Sequence, residues 1–293
     1  VDEAIRACSN FTSYNDLMEH FLADRKNSAS GTDFLKRYCG IDLDNEDTGA
    51  ITGADAGGSI VKTAESVVPE NEGDTSVYPP SNSFSYKGLT IKVPDKSTLN
   101  ENQRNIIAGL YTWWLKAGID LVEETYGFSF QDSDATFKTI NVDFDMHGNN
   151  TWTHCFTCPS VNNNQKVTGF TLHLNSDIFK NITNKDTNGA NSSSSSTEYL
   201  DRVIAFSFAR AIMMAKVNYE LNLPDMISKG IAAQVDGYDD RRKSGILALA
   251  NSTDNISKYV TSTTGSNDQA MGFMLLRYLA KQSAESSEVE IDK

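Results

Sequence analysis

Between residues 101 and 126 the chain reads ENQRNIIAGLYTWWLKAGIDLVEETY, where Ile107, Leu110, Trp114 and Leu121 form one stripe at helical spacing. A helix of this length has an apolar face that another layer must cover. The flanking segments can supply that layer. SFSYKGLTIKV (83–93) has the pattern of a hairpin turning at Lys87-Gly88, and TFKTINVDFDM (136–146) and KVTGFTLHLNS (166–176) alternate as strands. After the low-complexity stretch NKDTNGANSSSSSTEY (184–199), the pattern is helical at 197–217, 224–236, 239–250 and 267–282. Strands followed by a run of helices indicate an α+β fold.

The first forty residues differ from the rest. DEAIRAC, SYNDLMEHFLAD and GTDFLKRYCG each carry apolar residues at helical spacing, with Ser13 and Thr32 as caps and Gly40 as a stop. Gly, Asp, Ser and Pro then dominate up to about Asn82. The expected organisation is a small helical module at 1–41, a linker or long loop at 42–82, and a main domain at 83–293. The acids Asp42, Asp44, Glu46 and Asp47 miss the spacing of a calcium-binding loop and read as a solvated turn.

With 39 acidic against 26 basic side chains the net charge is −13, which leaves no basic stripe for phosphates and argues against nucleic acid. No apolar run is long enough to span a bilayer, so membrane insertion is not expected. The chain opens on Val1 without an initiator Met, and is read as a trimmed form or a segment of something larger. The cysteines fall as two pairs, Cys8 with Cys39 and Cys155 with Cys158, a usage that fits an exported, oxidised protein. Cys8 and Cys39 lie near the ends of the helical module, where a disulfide would staple it. In DMHGNNTWTHCFTC, the residues His147, His154, Cys155 and Cys158 allow a local zinc site, a disulfide-closed loop or reactive thiols. His20 and His173 read as structural.

The stretch VIAFSFARAIMMA sets Arg210 among apolar residues, and a second cation, Lys229, follows in DMISKGIAAQVDG. Together with YLDRVIA, LPDMISKGIAAQVDGYDDRR and GFMLLRYLAKQ, these segments resemble the zinc metallopeptidases of the gluzincin class, and look closest to flagellinolysin-like domains of bacterial flagellins. In that class one helix carries H-E-x-x-H, with two zinc-binding histidines one turn apart and a glutamate that activates water. A glutamate on the next helix is the third ligand. Aligned on this frame, the histidines fall on Phe206 and Arg210, the catalytic glutamate on Ser207 and the third ligand on Lys229.

None of these four can do the family's work. Phe206 has no lone pair, Ser207 is no base at neutral pH, and a protonated arginine cannot ligate metal. The resemblance therefore implies a zincin-like fold, a small sheet plus a helical C-terminal half, with its site lost. It implies a pseudopeptidase that is not an enzyme and needs no cofactor. Its role would be structural, assembly or binding, at the cell surface or in an extracellular filament, with a protein partner or self-assembly. Two cations near a desolvated cleft need compensation, for which Glu220, Asp236, Asp239 and Asp240 are the candidate acids. The other reading is a working zinc hydrolase built on His147, His154, Cys155 and Cys158.

Overall fold

The computed structural model describes residues 2–43, 77–127, 129–130, 137–148, 155–164, 166–179, 200–217, 224–236, 238, 242–262, 265 and 267–291. The chain forms a mixed α+β structure of two compact units. One comprises Ile51–Tyr219 with Val235–Gly237; the other comprises Val1–Ala50, Glu220–Gln234 and Tyr238–Lys293.

The first unit holds a five-stranded sheet of β1 (Ser83–Tyr86), β2 (Leu89–Lys92), β3 (Thr139–Asp143), β4 (Cys155–Val161) and β5 (Val167–Leu174), in the order β1-β2-β3-β5-β4. β2, β3 and β5 run parallel, while β1 and β4 pair antiparallel at the two edges. The hairpin turns where expected. Lys87 and Gly88 take φ of 44° and 74°, the left-handed pair that matches the strand twist. The parallel step from β2 to β3 requires a crossover, supplied by the long helix α4. It comprises Glu101–Gly109, a π turn at Leu110–Trp114 and Leu115–Tyr126. Asn100 and Gln103 close a capping box at its start, and Gly127 ends it at φ 63°.

Register places Ile91, Ile140 and Phe170 in one row across the sheet. With Val142, Leu172 and Leu174 they make an apolar face that is buried throughout. Against it packs α5 (Leu200–Val217), whose Phe208 ring meets Phe170 edge to face at 5.7 Å. Gly118 of α4 lies under Phe208 and Ile204 of α5, letting the two helices approach closely. The hairpin is fastened to α4 by polar contacts. Tyr86 donates to Asp120 Oδ2 at 2.6 Å, and Lys87 pairs with Asp120 and, at 2.9 Å, with Glu123.

The second unit is helical: α1 (Asp2–Cys8), α2 (Tyr14–Asn27), α3 (Gly31–Phe34, continued by a π turn Leu35–Cys39), α6 (Asp225–Ala232), α7 (Lys243–Ala250), α8 (Thr253–Thr261) and α9 (Asp268–Ile291). Ser13 caps α2 as expected, but α3 is capped by Ser30 rather than Thr32. Tyr278 of α9 sits among Phe11, Phe21 and Phe34 and donates to Asp24 Oδ2 at 2.7 Å. Tyr14 donates to the Tyr259 carbonyl at 2.8 Å, the Gly31 amide to Asn251 Oδ1 at 2.9 Å, and buried Arg25 to the Ala250 carbonyl.

This corrects the expected division at 1–41. The N-terminal helices share one apolar core with α6 to α9, because forty residues cannot bury rings such as Phe21 and Phe34 by themselves. The 42–82 boundary falls largely outside the described residues.

Two outcomes follow from these contacts. A chain beginning at residue 42 should lose the cooperative unfolding of the helical unit, since Tyr278 and its neighbours then face water. Calorimetry showing that transition unchanged would refute the shared core. On α6 and α9, Gly230 and Gly272 meet backbone to backbone, and a Cβ at Gly272 would overlap the Met226 carbonyl. Gly272→Ala should therefore destabilise by about 2 kcal/mol in denaturant titration, despite alanine's better helix propensity.

Candidate functional site

The positions that the gluzincin frame singles out lie on α5. Phe206 and Arg210, one turn apart, are both partly exposed, whereas Ser207 is buried. The Ser207 hydroxyl donates to the Val203 carbonyl one turn back at 2.8 Å. Its oxygen lies 2.7 Å from Cys155 Sγ of β4, which is also 3.6 Å from the same carbonyl. Either group can supply the proton of that short contact, because each also has the Val203 carbonyl as an acceptor. Burial pushes the Cys155 thiol up to about 12, against the opposing pull of the Ser207 hydrogen bond and the nearby Arg210 charge. The group is a neutral thiol at physiological pH, a packing contact rather than a nucleophile.

The strand that carries Cys155 also decides the CxxC reading. Cys155 pairs with Leu174 and Cys158 with Thr171, an odd separation that sends them to opposite faces of the sheet. Cys155 faces α5 and Cys158 is exposed on the polar side. Three residues of strand span about 10 Å, too far for a disulfide. Cys39, Cys155 and Cys158 are all thiols; Cys39 is buried, which raises its pKa far above the ordinary value. Of the readings open for CxxC, the local disulfide and a zinc site using both thiols do not fit this strand, and the expected Cys8–Cys39 bridge is corrected, since Cys39 is a free thiol. The side chain of Cys8 and the whole of His154 lie outside the described residues.

The two cations belong to different units, and each has its own neighbours. Lys229 Nζ on α6 lies 2.9 Å from Asp225 Oδ2 and 3.9 Å from Asp268 Oδ2, two acids that were not among the expected partners. Of those expected, Glu220, Asp239 and Asp240 lie outside the described residues. Asp236 is buried, and its carbonyl accepts from Arg202 Nη1 at 2.8 Å. Arg202, almost fully buried in the first turn of α5, escaped the sequence reading; its signal was a cation inside YLDRVIA. Asp42 pairs with Lys36 at 3.0 Å, while Asp44, Glu46 and Asp47 are outside the described residues.

His147 follows β3 and meets His173 of β5 edge to face, with ring centroids 4.9 Å apart. His20 on α2 keeps to Asp16, its Nδ1 lying 2.8 Å from the Asp16 carbonyl. Among the described residues, no three His, Cys, Asp or Glu side chains are grouped so as to hold a metal ion, and no helix is long and apolar enough to cross a membrane. No family model, curated protein or solved structure matches the chain.

Alkylation of the native protein at pH 8 should separate the three described thiols. Cys158 should react first, and Cys39 and Cys155 only on unfolding. A thiol with a pKa near 12 is about one part in ten thousand thiolate at that pH, against roughly a quarter for an ordinary one. Peptide mapping that finds Cys155 labelled as fast as Cys158 would contradict the geometry.

Proposed function

We propose that the chain is a catalytically inactive, zincin-like module with a structural, assembly or binding role, placed at the cell surface or in an extracellular filament. The observation that carries the loss of catalysis is the state of Ser207. At the position where the family keeps its water-activating glutamate stands a buried hydroxyl, tied to Val203 and to the Cys155 thiol. Neither group is a base at neutral pH. On the same face, Phe206 offers no lone pair and Arg210 offers a positive charge.

The arrangement of elements agrees with the resemblance at the level of layers. A long helix crosses over between parallel strands, and a later helix packs on the sheet's apolar face beside an antiparallel edge strand. The helix carrying positions 206–210 is that later helix. Placement outside the cell rests on the likeness to flagellinolysin-like domains alone, because the described cysteines are thiols and lend it no support.

The decisive experiment restores part of the family pattern on α5. Phe206→His with Arg210→His puts two imidazoles one turn apart on a partly exposed face. The folded double variant, made in a His147→Ala background, should bind Zn2+ at least about tenfold more tightly than that background in calorimetric titration. A folded variant with no gain would mean that α5 is not the helix the frame describes. The unaltered protein should cleave no protein substrate, with or without chelator. Chelator-sensitive proteolysis would overturn the reading.

A further inference from the structure

β1 and β4 are the two edges of the five-stranded sheet, and they are finished differently. β4 carries Pro159 and a register irregularity at Ser160 and Val161, two devices that discourage a further strand from adding to an edge. Ser83–Tyr86 of β1 pairs with β2 in regular register and has no proline, bulge or charge. The Val93 amide donates to the Asn82 carbonyl at 3.0 Å, and this bond sets the alternation along the hairpin. Asn82, Phe84 and Tyr86 bond inward to β2, so Ser83 and Ser85 turn their backbone groups to the outer edge. The Ser83 carbonyl accepts from the Ser81 hydroxyl at 2.9 Å. Ser85 is exposed, and among the described residues nothing bonds to its amide or its carbonyl.

Beside that edge lies a cation without an acid. Phe84 and Tyr86 share the face that meets α4, where the Tyr111 ring stands edge to face against Phe84 at 4.9 Å. Lys116 Nζ lies 5.1 Å from the Tyr111 ring centroid and 6.0 Å from that of Tyr86. Lys87 also reaches the Tyr86 ring, at 5.9 Å, but its charge is met by Asp120 and Glu123. Asp120, one turn on from Lys116, is thereby taken by Tyr86 and Lys87. No carboxylate among the described residues pairs with Lys116, and burial pulls its pKa below the ordinary lysine value. Two aromatic faces hold the ammonium in place but do not neutralise it.

We propose that the outer edge of β1 and Lys116 together form a docking site for an extended peptide segment of a partner protein, which adds to the sheet as a further strand and sets a carboxylate side chain against Lys116. The Ser85 amide and carbonyl bond the main chain of the segment, and its alternate side chains fall beside Phe84, Tyr86 and Lys116. An edge this short supplies few main-chain bonds, so the carboxylate decides which segments bind. A second copy of the chain does not meet the requirement. Its Ser83–Lys87 stretch has no acid to offer Lys116, and two chains of net charge −13 repel each other. The edge uses no residue of α5, so it stands independently of the pseudopeptidase reading.

Fluorescence anisotropy of the full chain tests it, with a labelled heptapeptide of alternating Thr and Val in which Glu replaces the central Val. Saturable binding of one peptide per chain is expected, about fivefold weaker in Lys116→Met and equally weaker for a probe with Gln in place of Glu. The two losses should not add, because they remove the same ion pair. Ser85→Pro should weaken binding at least about tenfold and leave the unfolding transition of the sheet unchanged, since the Ser85 amide faces away from β2. The Gln probe reads the ion pair on the unaltered protein, so the outcome does not depend on a variant folding. Equal binding of the Glu probe and one with Lys in its place, undiminished binding in Ser85→Pro, or no saturable binding at millimolar peptide would overturn the site. Self-association of the parent chain that Ser85→Pro abolishes would overturn it too, by giving the edge to a second copy.

Discussion

The apolar face of the five-stranded sheet must be covered, and the position of almost every chemical group in the first unit follows from that requirement. α5 lies on the face through Phe208 against Phe170, and α4 comes within reach of α5 because Gly118 has no side chain to hold it off. Strand alternation then sorts the remaining residues without further instruction. Cys155 is turned toward α5, where Ser207 meets it. Cys158, His173 and Asp143 are turned the other way. A hydrogen-bonded thiol on one side and an imidazole pair on the other are consequences of one pleat.

Parts of this were legible in the amino-acid sequence. Lys87-Gly88 between alternating segments announced its turn, and Asn100, Gln103 and Gly127 bracket the long helix with standard caps. The edge strand β4 was hidden. Its Thr157, Cys158, Pro159 and Ser160 show no alternation of apolar and polar residues, and a strand paired on one side only needs little of it to form. Reading CxxC as a loop motif then hid the fact that its two thiols point apart. The Cys155–Ser207 contact joins residues 52 positions apart, a proximity no local pattern encodes. The same holds for Lys229, whose partner Asp268 lies beyond α7 and α8 in sequence.

The first forty residues illustrate a different limit. Their helical periodicity was plain, but periodicity reports which face is apolar and not what covers it. Tyr278 covers it, together with the rest of α9. The composition shift after Ile41 suggested a separate module, whereas Arg25, Gly31 and Tyr14 each bond to the C-terminal helices. A boundary in composition was no boundary in packing.

The pairing of Asp24 with Tyr278, 254 positions apart, sets an order of events during synthesis. At roughly 5–20 residues per second, the N-terminal helices wait on the order of 10–50 s before α9 leaves the ribosome. Phe21 and Phe34 are without their native cover throughout that interval, while the sheet between them can already close around its own core. The sheet thus folds ahead of the helical unit, and the nascent protein passes through a stage in which α1 to α3 are the helices most in need of a chaperone.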